Sequence, residues 1–198
     1  MPLIKLNDRS IKDVTSLPFG VGNMILISSQ TASNSASISF TTGINSTYKE
    51  YQFYFIDIHP RTDSVQFQFN LSTDSGSNYN VTKTSTYFNS YHFEDDSASA
   101  LTYQGTYDLA QSTSDQPLVD AQGSGADESM GGSMQLFNPS STTYVKHWIS
   151  NCNRYFSGDA SANNFTAGYG NTTSAVNAIR FQMSSGNFDG TIAMFGVL

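Results

Sequence analysis

Asn177-Ala-Ile-Arg-Phe-Gln-Met-Ser-Ser-Gly-Asn-Phe-Asp-Gly-Thr-Ile-Ala-Met-Phe-Gly-Val-Leu198 is the stretch that decides the fold. Two segments with a period of two residues flank a Ser-Ser-Gly-Asn-Phe-Asp-Gly turn, the pattern of two strands with one face toward a core. The spacing predicts a closing β-hairpin whose last strand is built into the main sheet. Gly186 and Gly190 read as structural turn residues rather than as a substrate loop.

Working outward, the same alphabet of short strands and polar turns recurs. Phe165 to Tyr169, Thr143 to Ser150 and Ser133 to Phe137 are strand signals. Further back, Val65, Phe67, Phe69 and Leu71 alternate with Gln66, Gln68 and Asn70, a strand with one buried face. In Tyr51-Gln-Phe-Tyr-Phe-Ile56 both faces are apolar, which predicts a central strand covered on both sides. His59-Pro-Arg-Thr-Asp63 separates these two, which are expected to pair antiparallel. Asn80 to Tyr87 reads as a Thr-rich strand, and Met24 to Ser29 and Ala36 to Phe40 as short ones. The region 90–132 is the least regular, with short strands expected around Leu101 to Tyr107 and at Leu118-Val119.

No window carries a 3.6-residue repeat, and no longer internal repeat is visible. Composition agrees: charged residues make up 13% of the 198, about half the usual share, and the helix formers Lys and Glu are scarce. The expectation is an all-β fold of roughly eight to ten strands, a jelly roll or related Greek-key β-sandwich. It spans 23–198 as a single domain and follows an extended N-terminal arm, 1–22, that ends in Leu17-Pro-Phe-Gly-Val-Gly22.

Charge and chemistry exclude several functions. A net charge of −7 argues against nucleic-acid binding, which needs clustered Lys and Arg against phosphates. No apolar run approaches the ~20 residues of a membrane span, and no apolar signal-peptide core is present. Cys152 is the one cysteine, so the chain has no internal disulfide, and it reads as a buried thiol rather than a nucleophile. His59, His92 and His147 lack metal-ligand spacing. Gly123-Ser-Gly125 is not a nucleophile elbow, and no phosphate loop occurs. Glu94-Asp-Asp96 and Asp127-Glu128 are the one carboxylate arrangement open to a glycosidase reading, and their turn-rich setting favours solvated loops. No enzyme, cofactor or metal is expected. Aromatic residues are numerous enough to line a sugar site, although core packing explains most of them.

Lys5, Arg9 and Lys12 make the first twelve residues mildly basic against an acidic body, either a solvated arm or one that docks on an acidic partner.

Three segments carry a resemblance: Lys5-Leu-Asn-Asp-Arg-Ser-Ile-Lys-Asp-Val-Thr-Ser-Leu-Pro18; Ile38-Ser-Phe-Thr-Thr-Gly-Ile-Asn-Ser-Thr-Tyr-Lys-Glu-Tyr51, continuing through Phe55-Ile-Asp-Ile-His-Pro60; and Leu136-Phe-Asn-Pro-Ser-Ser-Thr-Thr-Tyr-Val-Lys-His147 with Asn171-Thr-Thr-Ser174 and Ser185-Gly-Asn-Phe-Asp-Gly-Thr-Ile192. Together they resemble a family of virion structural proteins of tailed bacteriophages, particularly those of aquatic bacteria and cyanobacteria. The resemblance implies a jelly-roll body located in the virion after synthesis in the host cytoplasm. It implies a capsid decoration (cement) protein, a homotrimer that binds the major capsid protein and staples neighbouring capsomers. Leu3, Ile4, Lys5, Leu6, Arg9 and Lys12 would then dock the arm on the capsid. The alternatives are a tail-fibre or receptor-binding module for cell-surface glycan and a polysaccharide-degrading enzyme.

Overall fold

A computed structural model describes residues 24–197. The arm 1–22, with its docking residues Leu3, Ile4, Lys5, Leu6, Arg9 and Lys12, lies outside the described residues. Twelve strands follow in chain order: β1 (Met24–Ser35), β2 (Ser37–Phe40), β3 (Glu50–Pro60), β4 (Val65–Ser72), β5 (Lys83–Phe93), β6 (Ser99–Tyr103), β7 (Gln116–Gln122), β8 (Met130–Phe137), β9 (Lys146–Phe156), β10 (Ala160–Gly170), β11 (Ala178–Met183) and β12 (Phe188–Val197). No helix is present among the described residues.

The fold is the expected all-β sandwich, and every strand pair is antiparallel. One half is the eight-stranded run β1-β12-β3-β8-β9-β10-β5-β6; the other is the four-stranded run β7-β4-β11-β2. They join where Gln122 of β7 meets Phe156 of β9. At the far side, β1 and β2 are consecutive in the chain, and Gln30 Nε2 donates to the Ser39 carbonyl (3.0 Å) across the gap. The sheet is therefore nearly closed on itself.

Two expected pairings are corrected. β11 and β12 do not form a hairpin: β11 lies between β4 and β2, and β12 between β1 and β3. Likewise β3 and β4 are in opposite halves. Both links are arches that carry the chain from one half to the other, so the alternating apolar faces of their strands look at each other across the core. The two arches pack together. Arg61 N donates to the Asn187 carbonyl (2.8 Å), and Arg61 pairs with Asp189 (2.8 Å). Gly186 has φ of 73°, and a Cβ there would meet Thr62 Oγ1, so only glycine fits. The structural reading of that turn stands, and the last strand is built into the main sheet as expected.

Aromatic rings clasp the halves. Phe181 of β11 stands 5.4 Å from Phe53, 5.2 Å from Phe55 and 5.9 Å from Phe67, ring centre to ring centre. Phe69 of β4 meets Trp148 of β9 at 5.3 Å. β3 is covered on one side only: Tyr54 and Ile56 are exposed on the outer face, which corrects the doubly covered strand. Its outward aromatic is instead part of a surface, packed edge-on against Phe195 at 5.6 Å.

The imbalance of eight strands against four positions the site. Beyond β7, the inward face of β9, β10 and β5 has no facing strand, and the chain from Gln104 to Asp115 covers only part of it through bonds such as Lys83 N to the Ser112 carbonyl (2.7 Å) and Gln104 N to the Tyr87 carbonyl (2.9 Å).

Candidate functional site

On that uncovered face, alternation places every second residue inward. Across β9, β10 and β5 the inward rows read Cys152–Asn164–Asn89, Arg154–Ala162–Tyr91 and Phe156–Ala160–Phe93. Ala162 is the low point. With larger residues on either side it leaves a cavity of about 240 Å³, lined by Asn89, Tyr91, Phe93, Gln104, Asp120, Arg154, Phe156 and Ala162. The three rings are half-buried, whereas Asn89, Asp120 and Arg154 are buried. Phe93 meets Tyr91 at 5.6 Å and Phe156 at 6.2 Å, edge to face in both cases.

Asp120 reaches the cavity because β7 is irregular. Val65 pairs with Gln122 and Phe67 with Val119, so β7 carries one extra residue at Asp120-Ala121. Ala121 has φ of 33°, left-handed backbone that a non-glycine residue adopts only when its surroundings impose it. This bulge breaks the alternation and turns Asp120 inward beside Val119. Its Oδ1 accepts from Arg154 Nη2 (2.7 Å), Tyr87 OH (2.7 Å) and Asn164 Nδ2 (2.8 Å). Arg154 also donates from Nε to Asn164 (3.1 Å) and from Nη1 to the Ala121 carbonyl (2.8 Å), which ties down the bulge. The guanidinium lies 4.9 Å from the Phe156 ring centre. Burial, followed by the Asp120 charge, drives the Tyr87 hydroxyl far up from its ordinary value, so it serves as a fixed neutral donor.

Asp120 Oδ2 and Asn89 Nδ2 are not engaged by any hydrogen bond among the described residues, and neither belongs to the polar atoms sealed away without a partner. The site thus offers one free acceptor and one free donor beside three rings.

The sequence assigns no role to Asp120 or Arg154. A signal is present: counting by twos from the buried Trp148 puts Arg154 inside, and an interior arginine requires an anion. The same count puts Lys146 inside, and from Tyr87 it reaches Lys83. Both lysines are fully buried. Lys83 Nζ donates to Asn70 Oδ1 (2.6 Å) and to the Val81 carbonyl (2.8 Å), and burial pushes its pKa down to about 8. Between pH 8 and 10.5 the unfolded chain therefore binds more protons at this site than the fold, so stability rises with pH. Lys146, also lowered by burial, acts in the same direction. From pH 9.0 the buried Cys152 thiol, pushed up to about 12, opposes the rise because the unfolded chain ionises first. Urea unfolding should accordingly show stability increasing by about 1 kcal/mol from pH 7.5 to 9. In Lys83→Met most of that increase should vanish; an unchanged slope would refute Lys83 as its source.

The residues that the sequence singles out are scattered. Glu94 and Asp127 line one open cavity of about 490 Å³ with Tyr155. Asp95 accepts from Ser97 N, Asp96 pairs with His92 (2.9 Å), and Glu128 accepts from Gly125 N, so these carboxylates hold loops. His59 Nδ1 contacts the Glu128 carbonyl (2.6 Å), and His147 lies on the opposite face from Trp148, as alternation requires. Cys152 is buried and free. Among the described residues, no group of three His, Cys, Asp or Glu side chains is arranged to hold a metal.

Fold and site define an all-β sandwich with a small aromatic and polar cavity beside a buried Asp–Arg pair. No protein-family model, no curated protein and no solved structure matches the chain.

Proposed function

We propose that the chain is a bacteriophage virion structural protein without catalytic activity, a capsid decoration protein that binds the major capsid protein and packs with further copies of itself as a homotrimer. The observation that carries this reading is the outer face of the larger half. Over β8, β9, β10, β5 and β6, no outward position holds Asp, Glu, Lys or Arg, in a chain whose net charge is −7. Apolar groups line it: Phe88 stacks on Phe165 at 5.0 Å, Ile149 is exposed, and Leu101, at 72%, and Tyr103 are exposed on the edge strand β6. Asp108 on Tyr103 and Asp96 on His92 bring carboxylates to its margins, so copies that repel one another overall can meet on such a face with few charges to desolvate. An apolar, charge-depleted core within a polar rim is also the composition of interfaces between like subunits.

The purified full chain should sediment as a trimer at micromolar concentration, and Ile149→Glu should give a folded monomer. A monomeric parent chain would overturn the packing face. In the particle, copy number should approach that of the capsid protein on a quantified gel, and deletion of residues 1–20 should abolish capsid attachment. Copies numbering a handful would favour the second reading, a tail-fibre or receptor-binding module for cell-surface glycan, which the lined cavity supports.

A further inference from the structure

We infer that the cavity between β5, β7, β9 and β10 is a binding site for one neutral sugar ring, with Phe93, Phe156 and Tyr91 as stacking surfaces and Asp120 and Asn89 as the polar contacts. Several independent features converge on it. At about 240 Å³ the cavity is below the ~300 Å³ at which drug-sized ligands begin to fit, and it suits a single six-membered ring. Its walls combine half-buried rings, which match the C–H face of a sugar, with an amide donor and a carboxylate acceptor, which match a vicinal pair of hydroxyls. Asp120 Oδ2 accepts a hydroxyl proton, and Asn89 Nδ2 donates to a hydroxyl oxygen.

Charge selects against acidic sugars. Every nitrogen of the Arg154 guanidinium already donates to a protein oxygen, and its charge is offset by Asp120. An incoming carboxylate would meet the Asp120 carboxylate with no free cation to compensate. A neutral ring meets no such penalty.

The site is built rather than incidental. Asp120 is turned inward by a bulge at a strained Ala121, and Arg154 holds that bulge by its backbone carbonyl. Three polar residues, Asn89, Asp120 and Arg154, are buried around it, and the Arg154 side chain is only 2% exposed. The floor is Ala162, flanked by Arg154 and Tyr91 in register.

The test is titration of the full-length protein with methyl α-glycosides of glucose, galactose, mannose and N-acetylglucosamine, followed by NMR saturation transfer and calorimetry. N-acetylneuraminic acid and glucuronic acid serve as charged controls. At least one neutral glycoside should bind with Kd near 1 mM, the range expected when a single ring buries little surface. Ala162→Leu, which fills the floor, should weaken it at least tenfold with the unfolding midpoint retained. Phe93→Ala, which removes a half-buried ring without filling anything, should do the same and guards against a misfolded first variant. No binding of any neutral glycoside up to about 50 mM, equal binding of the acids, or binding unaffected by both variants would overturn the assignment. Binding to an immobilised polysaccharide that ends in the preferred ring would mark a surface glycan as the source, and binding of the free glycoside alone would mark a soluble sugar. The assignment does not rest on the location of the protein in a particle, so its failure leaves the packing face intact.

Discussion

Phe181→Ala should lose about 3–5 kcal/mol of stability, toward the upper end of the range for a buried aromatic. Phe181 is fully buried on β11 and touches rings from both halves: Phe53 and Phe55 of β3, Phe67 of β4, and Phe40 of β2 at 6.4 Å. Truncation therefore opens a void at the point where the halves are clasped, and five rings, Phe69 at 6.4 Å included, each lose an aromatic partner worth about 0.5–1.5 kcal/mol beyond area burial. The surrounding strands are hydrogen-bonded on both sides of β11, which limits collapse into the void. Urea unfolding should show the midpoint falling with the slope unchanged, and thermal unfolding a drop on the order of 10 °C for a chain of this size. Phe181→Leu, which keeps most of the volume, should cost less than half as much. A Phe181→Ala loss under about 2 kcal/mol would mean that the halves are held mainly elsewhere.

Strand positions were legible because burial imposes a period of two. Val65, Phe67, Phe69 and Leu71 are all buried, as their alternation requires. Strand partners were not legible. Alternation states which face is inward, and it says nothing of whether the next strand lies beside or opposite. The links 61–64 and 184–187 are each four residues long, short enough for a hairpin yet sufficient for an arch. What decides between them is the long-range fit of Phe55 to Phe67 at 5.3 Å and of Phe181 to both, which no local window contains. Site residues were hidden for a related reason. Asp120 sits inward only because the β7 bulge breaks the alternation, in a stretch that reads as irregular. Arg154 does obey the alternation, so the one readable trace of the site was a guanidinium at an interior position.

Arg154→Met should cost about 3–5 kcal/mol, the other large effect. Asp120 would keep hydrogen bonds from Tyr87 and Asn164 but lose the cation that makes its burial tolerable. The Ala121 carbonyl and Asn164 Oδ1 would also lose their donors. The cost should thus come mainly from a stranded charge and not from a lost contact, and that distinction is measurable. Arg154→Met combined with Asp120→Asn removes both charges while keeping an acceptor for the Tyr87 hydroxyl, so the double variant should recover a large part of the loss. The cycle should then give a coupling of about 2–3 kcal/mol. If Arg154 mattered only for packing, through the Phe156 ring at 4.9 Å, the second substitution would add its own cost and the coupling would be near zero. If instead water in the cavity solvated Asp120 through Oδ2, Arg154→Met alone would cost about 1 kcal/mol or less. That result would make the carboxylate's hydration, rather than its pairing, the feature a sugar hydroxyl has to replace.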